Sequence, residues 1–153
     1  MTERYGETMK KVRQAIDAER QDATRVMQTT VRLLHHELPH YTWVGFYLLD
    51  GNELVLGPFA GRPSPHTRIP LGRGICGAAA AEEQTIIVDD VNTDPRYLAC
   101  SFDTRSEIVV PIMLDGQVLG EIDIDSDKLA AFGPADKDFL EQLASHLAPI
   151  LRS

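Results

Sequence analysis

Glu107-Ile108-Val109-Val110-Pro111-Ile112-Met113-Leu114 runs into Asp115-Gly116 and then into Val118-Leu119-Gly120-Glu121-Ile122-Asp123-Ile124-Asp125. The two apolar runs, joined by an Asp-Gly turn pair, predict an antiparallel hairpin. Side chains alternate along a strand, so Ile122 and Ile124 share one face and Asp123 and Asp125 the other. The isoleucines should face the core. The carboxylates should then face solvent or a covered pocket. The hairpin brings Glu107 to the far end of its partner strand, so Glu107, Asp123 and Asp125 can converge. Three such acids repel one another unless a proton or a cation neutralises them. A ligand ammonium would serve, and so would a divalent metal held by Glu107, Asp123 and Asp125. The plainer alternative is a solvated strand face.

Upstream, Trp43-Val44-Gly45-Phe46-Tyr47-Leu48-Leu49 reads as a strand, turned by Asp50-Gly51-Asn52 into Glu53-Leu54-Val55-Leu56. Trp43 and Tyr47 are four apart and share a face, as core or as the wall of an apolar pocket. Gly57 to Pro65 predicts a loop, Thr67 to Pro70 and Thr85 to Val88 short strands, and residues 89–101 an irregular segment with a turn at Asp94-Pro95. Val26, Met27, Thr30, Val31, Leu34 and Leu38 recur at helical spacing up to Pro39. Phe139, Leu140, Leu143, Leu147, Ile150 and Leu151 do the same after Gly133-Pro134. Met9, Val12 and Ile16 form a thin stripe in residues 1–20, read as an N-terminal helical arm before a domain of residues 21–153. The order predicts an α+β fold: an antiparallel sheet of about six strands, with N- and C-terminal helices on one face and loops and a short helix on the other.

The chain has 153 residues, 43% hydrophobic and 25% charged, as expected of one globular domain. A net charge of −8 argues against nucleic-acid and anionic-membrane partners. Residues 1–20 hold Arg4, Lys10, Lys11, Arg13 and Arg20 with no apolar signal region, so the expected location is the cytoplasm. There, two cysteines are either inert fillers or reactive thiols. Cys100 follows an irregular stretch, Tyr97-Leu98-Ala99, of the kind that carries sites. Cys76 lies in the Gly-rich turn Gly72-Arg73-Gly74-Ile75-Cys76-Gly77, just before the helix-forming Ala78 to Ala81. A helix N-terminus there would lower its pKa. This turn matches G-x-G-x-x-G, but the strand before it is short and no acidic residue is well placed about twenty positions on, so a dinucleotide site is not expected. There is no P-loop or serine-triad elbow, and His35-His36 has no cysteine at zinc spacing.

Trp43-Val44-Gly45-Phe46-Tyr47, Leu56-Gly57-Pro58-Phe59, Arg68 to Gly77, Ala99-Cys100, Ser106 to Pro111 and Asp123-Ile124-Asp125-Ser126 together resemble the free methionine-R-sulfoxide reductases, which are GAF-domain enzymes. The resemblance spans roughly residues 20–151. It implies that Cys100 is the nucleophile and that Glu107, Asp123 and Asp125 bind the substrate ammonium. Glu107 or Asp125 would hold a proton near the sulfoxide oxygen. Trp43 and Tyr47 would wall the methyl-sulfur end. It implies no cofactor and no resident metal, a thioredoxin-like reductant as partner, and a homodimer as the family's frequent state. One departure is His66, which stands where many bacterial members carry a third cysteine. Cys76 or an external thiol must then resolve the oxidised Cys100. The rival class is a GAF sensor module that binds a small molecule without turnover.

Overall fold

A computed structural model describes residues 2–98 and 103–152. The elements are α1 (Thr2–Ala18), α2 (Ala23–Glu37), β1 (Trp43–Asp50), β2 (Glu53–Ala60), β3 (Arg68–Pro70), α3 (Gly74–Glu82), β4 (Ile86–Val88), β5 (Ser106–Leu114), β6 (Gln117–Ser126) and α4 (Pro134–Arg152), with one 3-10 turn at Val91–Thr93. The six strands form one antiparallel sheet in the order β3-β2-β1-β6-β5-β4. The fold is α+β, as the strand and helix order predicted.

The β5–β6 hairpin closes through Asp115 and Gly116, both at positive φ (53° and 76°). That is the two-residue turn whose twist matches the flanking strands. It fixes the register in which Glu107 faces Asp125 and Val109 faces Asp123. β1 lies on the other side of β6, with Trp43 opposite Asp125, Gly45 opposite Asp123 and Tyr47 opposite Glu121.

Alternation divides the sheet into two faces. Val44, Phe46, Ile108, Val110, Ile112, Ile122 and Ile124 pack under α1, α2 and α4 in the larger core. Trp43, Tyr47, Leu54, Val88 and Val109 point the other way and pack under α3. α2 starts on Asp22, whose carboxylate accepts from the Arg25 N–H, and ends at Leu38 as the backbone becomes extended before Pro39. α1 is a full helix docked on α2 and α4, with Tyr5, Val12 and Ile16 buried. Among the described residues, no helix is long and apolar enough to cross a membrane.

One predicted boundary differs. Residues 57–60, expected as loop, continue β2. Between Gly45 and Tyr47 the β1–β2 register slips by one residue, and Gly57 and Pro58 fall in that irregularity. A bulge tolerates a glycine and a proline that an unbroken ladder would reject.

Candidate active site

The site lies on the α3 side of the sheet, at the β1–β6–β5 centre. Glu107, Asp123 and Asp125, brought together as expected, are buried rather than solvated. The same alternation adds Glu121, which the sequence reading passed over. It is 0% exposed. Both its carboxyl oxygens, Asp123 Oδ1 and Asp125 Oδ1 are buried with no hydrogen-bond partner among the described residues. Burial pushes the Glu121 carboxyl well up, and the charge of Asp123 adds to it; the nearby Cys76 thiol offsets only part. Asp125 rises for the same two reasons, against a hydrogen bond with Glu107. Burial also raises Asp123, against hydrogen bonds with Glu107 and Cys76. A buried carboxylate without donors is costly, so this face holds protons that an exposed one would release.

Cys76 sits within the first turn of α3, over these acids. Its thiol points at Glu107 Oε2 at 3.9 Å. The expected drop in its pKa is overturned: burial pushes the thiol well up, and the charges of Asp123, Glu121 and Glu107 push the same way. The α3 dipole acts on a helix of nine residues, whereas the acids lie in contact and in low dielectric, so they win.

Trp43 and Tyr47 share this face, as alternation required. The Trp43 indole lies along the strand over Gly45, where an added Cβ would come within 2.2 Å of the ring. Its Nε1 donates to the Arg62 carbonyl at 2.8 Å, and its ring stacks on Phe59 with centroids 5.7 Å apart. Tyr47 donates its hydroxyl to the His66 carbonyl at 2.8 Å. His66 thereby joins the wall. Among the described residues, Tyr47, His66, Ile69, Cys76, Leu98, Glu107 and Asp123 enclose a void of about 10 Å³. Beside it a cleft of about 200 Å³ is lined by Trp43, Arg62, Asp103, Thr104 and Asp125, among others. A void of about one water's reach admits an amino acid only when its surroundings shift. Cys100 lies outside the described residues.

The pattern of the GAF domain family matches residues 22–151. The free methionine-R-sulfoxide reductase of Escherichia coli is 40% identical over 125 residues, 82% of this chain and 75% of that one. The free methionine-R-sulfoxide reductase of Neisseria meningitidis, solved in complex with its substrate, superimposes with a TM-score of 0.92 at 40% identity, covering 97% of this chain and 88% of that one. A putative GAF sensor protein of Burkholderia vietnamiensis superimposes with a TM-score of 0.92 at 36% identity, over 99% of this chain and 98% of that one. The chain belongs to the GAF domain family. Within it, this is a member of the free methionine-R-sulfoxide reductases.

Proposed function

We propose that this protein reduces free L-methionine-R-sulfoxide to L-methionine. The observation that carries the reading is the buried acid face of Glu107, Asp123 and Asp125 beside the Trp43 and Tyr47 rings, in which Asp123 Oδ1 and Asp125 Oδ1 have no partner among the described residues. Such a face asks for a cationic head next to an apolar tail, and a free amino acid with a thioether-like end supplies both. A residue inside a peptide has lost that ammonium, so free substrate is preferred.

The Cys100 thiolate attacks the sulfoxide sulfur. Glu107 or Asp125 gives a proton to the oxygen, Asp125 being raised by burial and by Asp123 into a range where it holds one. The S–O bond and the transient bond between Cys100 and the substrate sulfur both break as the oxygen passes to the Cys100 sulfur, so the substrate leaves as methionine, reduced by two electrons, and Cys100 remains as a sulfenic acid. Cys76 resolves it: the Cys76 sulfur bonds to the Cys100 sulfur, the sulfenic S–O bond breaks, and the Cys76 thiol proton passes, by way of a neighbouring carboxylate such as Glu107, 3.9 Å away, to the leaving hydroxyl, which departs as water. A thioredoxin-like dithiol in the cytoplasm reduces the disulfide by exchange. The raised pKa of Cys76 supports this division, since a protonated thiol is a poor first nucleophile.

The test is NADPH consumption with thioredoxin, its reductase, and free R- or S-methionine sulfoxide or its N-acetyl form. Turnover of the free R form alone is expected, abolished in Cys100→Ser. A wild-type rate equal to that of Cys100→Ser would leave a ligand-binding sensor as the better account.

A further inference from the structure

The Cys76 thiol sulfur, one oxygen of Glu107 and one of Asp123 lie within 4.8 Å of one another, all buried. Asp123 Oδ1 is unpartnered there, and two residues earlier on the same strand face both oxygens of Glu121 are buried and unpartnered, among the described residues. This is a mixed sulfur and oxygen donor set with a surplus of negative charge and a third carboxyl at hand. We infer that Cys76, Glu107 and Asp123 form a binding site for a soft divalent cation of the Zn²⁺ class.

Zinc takes thiolate sulfur at about 2.3 Å and carboxylate oxygen at about 2.0–2.2 Å. Tetrahedral bonds of that length hold ligand atoms about 3.5 Å apart. The Cys76–Glu107 separation is already 3.9 Å and no pair exceeds 4.8 Å, so the set closes by at most about 1.3 Å, a side-chain adjustment. Glu121, buried on the same strand face, would complete the shell. The sulfur ligand favours Zn²⁺ over Mg²⁺ and Ca²⁺, which want six or more hard oxygens. On binding, the Cys76 S–H proton and any carboxyl proton pass to solvent as the metal bonds form, with no change of oxidation state.

The consequence for activity rests on the proposed function. A cation here occupies the place of the substrate ammonium and ties up the resolving thiol. Zinc then inhibits in competition with the sulfoxide, and a chelator reverses it.

Binding is measured on the reduced full chain by competition of ZnCl₂ against a chromophoric chelator, without any turnover. One equivalent is expected, with MgCl₂ inert. Cys76→Ser and Asp123→Asn should each weaken binding by at least about tenfold. Zinc held at full affinity by the Cys76→Ser protein overturns the site. Because those substitutions touch a buried cluster, Cys100→Ser gives a second reading in which Cys76 is the one remaining thiol. Co²⁺ added to it should produce a thiolate-to-metal charge-transfer band, and no band overturns the site. Sulfoxide turnover by metal-free protein that fails to bind zinc sinks this inference alone. Zinc on Cys76 in a protein without turnover supports the site and sinks the functional reading.

Discussion

Asp136 at the start of α4 and Asp123 and Asp125 on β6 are buried to the same degree, at 5%, 2% and 3% exposure, and lie on opposite sides of the sheet. Asp136 is fully served. Tyr5 and Tyr41 donate hydroxyls to its Oδ1 at 2.6 and 2.8 Å, His40 Nε2 donates at 2.9 Å, and the Gly133 N–H donates to Oδ2 at 3.0 Å. Burial alone would raise its pKa, but these donors outweigh it and bring it down to about 2. The Asp123–Asp125 face has acids for neighbours, and its pKa values rise. One carboxylate locks α1, the α2–β1 connection and α4 together. Oδ1 of each of the others has no partner among the described residues. Burial therefore does not define a site, whereas burial without donors points to what a ligand must bring.

The contrast can be broken at either end. The largest effect is expected for Asp123→Asn. With Asp123 in its proposed role as partner of the substrate ammonium, losing that charge should lower kcat/KM by about a hundredfold, about 3 kcal/mol. The same change relieves repulsion, so the urea midpoint should hold or rise. A variant that keeps wild-type kcat/KM removes Asp123 from substrate binding. Asp136→Asn should do the opposite, costing about 2 kcal/mol of unfolding free energy while the folded protein keeps its kcat/KM. Were it to unfold at the wild-type urea concentration, the lock would be decorative.

Gly45→Ala, which pushes on the indole, should cost about 1–2 kcal/mol and raise KM several-fold with little change in kcat. An unchanged KM would mean that the Trp43 ring does not shape the pocket. The subtlest reading is the pH profile of stability. The Asp136 pKa is below its unfolded value of 3.8, so its contribution is present above that value and lost as pH falls from about 4 to about 2. The acid face has raised values. The folded chain keeps protons that the unfolded chain has released, so stability declines as pH climbs above about 4. Denaturation across pH in wild type and Asp123→Asn should show the high-pH decline weakened in the variant. Parallel curves would contradict it.

Much of the sheet was legible because strand alternation is local. Ile122 and Ile124 oriented β6, and that orientation placed Asp123 and Asp125. Glu121 obeys the same period and was readable in principle, but a glutamate on a strand looks like solvent-facing polarity until its neighbours are known. The Asp136 lock was not legible at all. Tyr5, His40 and Tyr41 meet it across 131, 96 and 95 residues of chain, and no local pattern encodes such a meeting. The Cys76 pKa was misread for a related reason: the helix start is visible in sequence, whereas the acids beneath it are visible only in three dimensions.

Trp43 is the single tryptophan of the chain. Its indole lies over Gly45, against Phe59, at the edge of the cleft that Asp125 also lines. All of the protein's indole emission therefore originates at the edge of that acid-lined cleft. The fold carries its own optical probe, and ligand arrival, cation uptake and movement of the Arg62 carbonyl that holds Nε1 can each be followed in unlabelled protein as a change in colour or intensity of that one fluorophore.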